Sequence, residues 1–198
     1  MKTIQFKAIL FSAITAMFLS GCTKDSDAEV PTAKKILFAE NFDNADLTVT
    51  GWMKHAEVGN KVFTRGVYKN DGYAVFTTYG GASEPVTVTW LISPPINMDT
   101  QTGETLYFQT AQDGFVRNID NSLELYVSTD YDGVNFASAG WEKIPFNVAT
   151  QNDTRYIYKD SGFIDLSKYT GTLYFAFKGK GTTSQSGGYQ IDNVRIFY

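Results

Sequence analysis

Leu123-Glu124-Leu125-Tyr126-Val127 and Leu173-Tyr174-Phe175-Ala176-Phe177 decide the fold. In the first stretch the odd positions are apolar and the even ones carry a carboxylate and a phenol. That period of two sets one face of a strand on a core and turns the other to solvent. In the second stretch both faces are apolar, which marks a strand in the middle of a sheet. Similar runs recur along the chain, at residues 36–41, 61–67, 73–78, 86–93, 105–112, 122–128, 141–144, 156–164, 172–178 and 189–197. Turn-forming residues separate them: Asn70-Asp71-Gly72, Gly80-Gly81, Asp132-Gly133 and Gly187-Gly188. Helical signals are confined to single turns near 45–47 and 166–169, and no solenoid-length repeat is visible. The pattern predicts an all-β chain of two packed antiparallel sheets. Propensity alone leaves a jelly roll and an immunoglobulin-like sandwich both open, although the Cys…Trp…Cys signature of the latter is missing.

Composition agrees. The chain has 15 Phe, 12 Tyr, 3 Trp and 17 Gly, a mixture suited to pleated, half-buried surfaces. Acids outnumber bases 21 to 17, for a net charge of −4, and this argues against a nucleic-acid partner, which calls for a basic stripe.

The N-terminus reads as an address. Lys2 and Lys7 precede an apolar run over 8–18, followed by Leu19-Ser20-Gly21-Cys22, the pattern of a lipoprotein signal with Cys22 as the lipidated residue. A transmembrane anchor would need ~20 apolar residues, more than this run supplies; an ordinary secretory signal is the other alternative. Residues 1–21 are thus expected to be the signal, 22–34 a flexible acidic tether and 35–198 one folded domain. The acidic stretch after Cys22 resembles the short tag that sends lipoproteins to the surface of certain Gram-negative anaerobes. The expected location is the outer membrane or cell surface, with a lipid at Cys22 as the membrane contact. The chain's only cysteine is then used, and no disulfide supports the fold.

Several motifs follow one another in a telling order: Glu40-Asn41-Phe42-Asp43, Gly51-Trp52, Asp71-Gly72-Tyr73, Trp90-Leu91-Ile92-Ser93-Pro94-Pro95-Ile96, Leu106-Tyr107-Phe108, Leu123 to Ser128 with an acidic turn, and Gly188-Tyr189-Gln190-Ile191-Asp192-Asn193-Val194-Arg195-Ile196. This succession resembles the choice-of-anchor J and cleaved-adhesin domains of bacterial surface proteins and, more distantly, the MAM domains of animal cell-surface proteins, without the paired cysteines of the latter. The resemblance implies a jelly-roll β-sandwich used for adhesion or carbohydrate (glycan) binding, without catalysis. It also implies a structural calcium where the first and last strands meet, at Glu40, Asp43 and Asp192. Calcium takes six to eight oxygen ligands, so carbonyls would complete the shell. Without the ion, Asp192 would cap backbone N–H groups at a strand bend.

Other clusters have simpler readings. Asp130-Tyr131-Asp132-Gly133 has the look of a calcium loop lacking its downstream Glu, but Asp-Gly between apolar strands reads first as a hairpin turn. His55, the single histidine, is placed in a polar loop, and no Gly-x-Ser-x-Gly elbow accompanies it. A glycoside hydrolase would have to use paired carboxylates from Asp113, Asp120 and Glu124. For a glycan ligand, sugar C–H faces stack on aromatic rings while amides and acids pair the hydroxyls. Tyr79, Phe115, Arg117, Tyr131 and Trp141 are the expected ligand-binding residues; Trp52 and Trp90 are assigned to the core. The competing reading is an accessory subunit that docks on another cell-surface protein through an edge strand or apolar patch.

Overall fold

Two antiparallel sheets face each other, and the chain passes repeatedly between them. The computed structural model describes residues 33–80, 84–114, 121–184 and 187–198; Cys22 and the signal and tether expected around it lie outside them. Within these residues the strands are β1 (Ile36–Glu40), β2 (Met53–Val58), β3 (Thr64–Tyr68), β4 (Asp71–Thr77), β5 (Val86–Ile92), β6 (Ile96–Asn97), β7 (Thr105–Asp113), β8 (Ser122–Ser128), β9 (Glu142–Ile144), β10 (Lys159–Asp160), β11 (Ile164–Asp165), β12 (Thr172–Thr182) and β13 (Gly188–Phe197). One sheet has the order β10-β7-β13-β4-β3; β1 also pairs with β13, and β11 with β7. The other has the order β2-β5-β12-β8-β9, with β6 also on β12. Among the described residues helical structure is limited to the 3-10 turns Leu47–Thr50 and Phe136–Ser138. No helix among the described residues is long and apolar enough to cross a membrane. The expected β-sandwich is the observed one.

The core lies between the sheets. Leu123, Leu125 and Val127 enter it from β8, as their alternation requires. Leu173, Phe175 and Phe177 enter it from β12, among Trp52, Phe42, Phe76, Phe108 and Tyr189. The other face of β12 is apolar for a second reason. Tyr174 and Ala176 belong to a separate cluster on the outside of the six-stranded sheet, with Trp90, Ile92 and Tyr131. The long β8–β9 connection covers it, packing Phe136, Ala139 and Trp141 against it.

At one end the sheets come very close. A Cβ at Gly179 would lie 2.5 Å from the Phe76 ring, and one at Gly181 would lie 2.7 Å from the Thr78 methyl. Thr78 Oγ1 also donates to the Thr182 carbonyl at 2.6 Å.

Four local expectations are corrected. The polar stretch after Trp52 is strand β2, so His55 is not in a loop; its ring stacks on Phe136 at 4.0 Å between centroids. The single run expected over 156–164 is broken into the short β10 and the start of β11, both laid along the edge of β7. The turn near Asn70 is formed by Lys69 and Asn70, both with positive φ, while Asp71 and Gly72 already belong to β4. Gly72 is required by close approach, since a Cβ there would meet the Phe42 carbonyl oxygen at 2.1 Å. Asp132-Gly133 does not make a tight hairpin. Asp130 accepts from Gly140 N–H at 2.9 Å and from the Ser128 hydroxyl at 2.7 Å, while Asp132 accepts from Val134 and Asn135 N–H at 2.8 and 2.7 Å. The two carboxylates thereby shape a longer loop.

Gly179→Ala is expected to destabilise the domain by about 1–3 kcal/mol, because the added methyl has no room against Phe76. Urea denaturation reads this as a lower midpoint; an unchanged midpoint would show that the sheets separate at little cost.

Candidate functional site

The outer face of the seven-stranded sheet carries the candidate site. Ala74 and Phe76 point into the core, so Val75 and Thr77 point outward, and Tyr79 follows them. On β13, Tyr189 and Ile191 point inward, leaving Gly188 and Gln190 on the outer face. These residues, with Asp113 and Arg155, line an open cavity of ≈420 Å³. Gly188, on β13 between Asp113 of β7 and Thr77 of β4, leaves its floor free of a side chain.

Tyr79 stands at the rim. Its ring is 76% exposed, yet its backbone is held: its N–H donates to Thr77 Oγ1 at 3.1 Å, and its carbonyl accepts from Lys61 Nζ at 3.3 Å. Across the cavity, Arg155 forms an ion pair with Asp113. The Gln190 amide is half-buried and makes no side-chain hydrogen bond among the described residues. An exposed ring beside an unpartnered amide offers one apolar and one polar contact to a ligand.

Of the other expected ligand residues, Tyr131 and Trp141 do not join Tyr79. Phe115 and Arg117 lie outside the described residues. Tyr131 and Trp141 sit on the opposite sheet, in the outer aromatic cluster. The Tyr131 ring is 8% exposed and meets Tyr174 and Trp141 at 5.0 and 5.4 Å between centroids. Trp141 also packs on Trp90 and Phe136 at 5.5 and 5.6 Å. These faces are occupied within the chain, so Tyr131 and Trp141 are packing residues and not part of a site with Tyr79. Trp52 is a core residue, as expected, but Trp90 belongs to the outer cluster.

Nor do the expected calcium ligands form one cage. Glu40 is buried and its oxygens are taken: Oε1 accepts from Phe42 N–H at 2.6 Å, and Oε2 from Trp52 Nε1–H at 3.2 Å and from the Thr50 hydroxyl. Asp43 Oδ1 accepts from Gly72 N–H at 3.1 Å. Asp192 Oδ1 accepts from Asn193 N–H at 2.6 Å and Oδ2 from the Asn193 side-chain amide at 3.2 Å. Among the described residues no group of three or more His, Cys, Asp or Glu is arranged to hold a metal ion. Glu40 is a structural acceptor joining the end of β1 to Trp52 and does not share one cage with Asp43 and Asp192.

Asp192 is nevertheless unusual. It is 2% exposed, and burial, reinforced by the charges of Asp71 and Asp43, pushes its carboxyl up to about 6 against the Asn193 N–H and Arg195, which act the other way. The same nook raises Tyr158, through burial and then the charge of Asp192.

The two described candidate hydrolytic carboxylates are on different sheets. Asp113 is on β7 and Glu124 on β8 of the opposite sheet, each ion-paired, with Arg155 and Lys143 respectively; Asp120 lies outside the described residues.

No protein-family model and no curated protein matches the chain. Solved structures do. The K3 cleaved adhesin domain of Lys-gingipain from Porphyromonas gingivalis W83 aligns over 83% of this chain and 100% of its own, at 17% identity and a TM-score of 0.55. The K1 domain of the same protein aligns over 80% and 96%, at 19% identity and 0.51. The carbohydrate-binding module TmCBM61, in complex with beta-1,4-galactotriose, aligns over 82% and 98%, at 10% identity and 0.47. The chain shares the fold of the two cleaved adhesin domains.

A prediction follows from Asp192. A carboxyl raised from 3.8 to about 6 keeps a proton in the folded state that the unfolded chain releases. Stability therefore falls as pH rises through that window, and a cost of ~3 kcal/mol persists at neutral pH. Asp192→Asn is expected to raise Tm at pH 7.5 and to change it little at pH 3.5. Equal shifts at both pH values in thermal denaturation would show that the charge is not the source of the cost.

Proposed function

We propose that this chain is a non-catalytic recognition domain that binds glycan on the outer face of its seven-stranded sheet, displayed at the cell surface by a lipid on Cys22. One observation carries the reading: the exposed Tyr79 ring stands over a cavity floored by Gly188 and edged by the unpartnered Gln190 amide. The ring suits the C–H face of a sugar, and Gln190 with the Asp113–Arg155 pair suits its hydroxyls. The fold shared with the gingipain adhesin domains agrees with adhesion as the wider role. The lipid anchor and outer-membrane location rest on the N-terminal sequence alone.

Glycan-array binding by the purified chain tests the proposal. Tyr79→Ala is expected to weaken binding about tenfold or more, a loss of ~1.4 kcal/mol, without lowering Tm. Trp141→Ala is expected to do the reverse, lowering Tm while affinity holds. Array binding unaffected by Tyr79→Ala would remove the site from this face. A stable protein partner in envelope pull-downs, with no glycan bound, would favour the accessory-subunit reading.

A further inference from the structure

We infer that a second cavity on this same face is a subsite for a carboxylate-bearing sugar, a uronic or sialic acid. The inference rests on the glycan reading of the face and names a ligand class for it. The cavity, of ≈330 Å³, is lined by Tyr107, Gln109, Asn193, Arg195 and Phe197. It shares β13 with the Tyr79 cavity. Gln190 and Arg195 are five positions apart, roughly 17 Å at ~3.3 Å per residue, so one extended chain of several sugars reaches both. Between them Asn193 takes a φ of 52° and the β13–β7 ladder shifts register, a bulge that re-aims the side chains following it.

The charge of this cavity sets it apart. The Arg195 guanidinium donates through Nη1 to the Val194 and Glu40 carbonyls at 2.8 and 3.1 Å, and through Nη2 to Asn41 Oδ1 at 2.5 Å. All three acceptors are neutral. Of its five N–H groups, Nε–H and one on Nη2 have no partner among the described residues. A carboxylate takes two such hydrogens from one guanidinium. Arg155, in the first cavity, is already neutralised by Asp113.

Among the described residues no carboxylate lines the second cavity. Two acids adjoin it, held by its own lining: Asp160 accepts from the Tyr107 hydroxyl at 2.6 Å and the Gln109 amide at 2.9 Å, and Asp192 accepts from Asn193, while the Arg195 hydrogen bonds go to neither. A second cation adjoins. Lys34 Nζ lies 3.4 Å from Thr105 Oγ1, and Thr105 pairs with Phe197. For the sugar's apolar face there is Phe163, 72% exposed and 5.7 Å from Tyr107 between ring centroids. The net charge of −4 does not forbid an anionic ligand, because exposed charges beyond a Debye length of about 8 Å are largely screened at physiological salt.

The test compares ligands first, because Arg195 also ties β1 to β13 and its variants risk the fold. Calorimetry on the purified full chain measures oligogalacturonate against its methyl ester, and sialyllactose against lactose. At least one acid is expected to bind tenfold or more tightly than its neutral counterpart, and which pair discriminates identifies the sugar. Arg195→Lys, checked for an unchanged Tm, keeps the charge but loses the fork, and is expected to abolish most of that preference. Equal binding of acid and neutral forms, or binding of neutral glycans only, overturns the subsite while leaving the face intact. No binding to these ligands or to any neutral glycan on an array overturns both.

Discussion

Phe76 and Thr78 of one sheet sit against Gly179 and Gly181 of the other, and this contact sets the phase of everything outside it. Side chains in a strand alternate with a period of two, so fixing Phe76 and Thr78 inward fixes Val75, Thr77 and Tyr79 outward. A slip of one residue would drive the Phe76 ring into solvent and bury polar groups without partners. The outer face is therefore specified by the core: the cavity at Tyr79 has its composition because two glycines on the opposite sheet admit an aromatic ring.

The molecule divides its aromatic residues into three populations. Trp52, Phe108, Phe175 and Phe177 fill the interior, with Phe175 and Phe177 meeting edge to face at 6.0 Å between centroids. Trp90 of β5 and Tyr131, Phe136 and Trp141 of the β8–β9 loop form a second packed layer on the outside of the six-stranded sheet. Lys178 lies over this layer, 4.7 Å from the Trp90 ring, in an ion pair with Glu57. Tyr79 and Phe163 are left exposed on the other sheet. Among the described residues the two outer faces thus have opposite characters, one covered by its own chain and the other leaving Tyr79 and Phe163 exposed.

The sandwich was legible because its information is local. The alternation at 123–127 and the apolar run at 173–177 each reach the core as read, and Ser122–Ser128 matches its expected limits. Partnering was not legible. Tyr131 and Tyr79 both sit beside turn residues, and only the folded loop shows that one ring is covered and the other free. Glu40 follows the same rule: its place near the end of the first strand was visible, but its three donors come from residues 42, 50 and 52, and their convergence depends on a 3-10 turn that the sequence marks weakly. Strand β2, with Lys54, His55 and Glu57, was hidden because its edge position permits charged side chains that mimic a loop. Arg195 stands in the last motif of the sequence without a role of its own there, since an arginine's unpaired hydrogens become visible only when its other partners are placed.

The pairing of β1 with β13 has a mechanical consequence. Ile36 lies opposite Phe197 and Glu40 opposite Val194, and Lys35 and Tyr198 exchange two backbone hydrogen bonds of 3.0 Å. The Tyr79 cavity is at the far end of β13, by Gly188 and Gln190. Tension between the chain entering at Lys35 and a ligand held in that cavity draws the two strands in opposite directions along their common axis. Their hydrogen bonds run perpendicular to that pull and share the load together, in shear. A domain loaded between these two points would keep its first strand in place far better than one whose first strand peels away bond by bond.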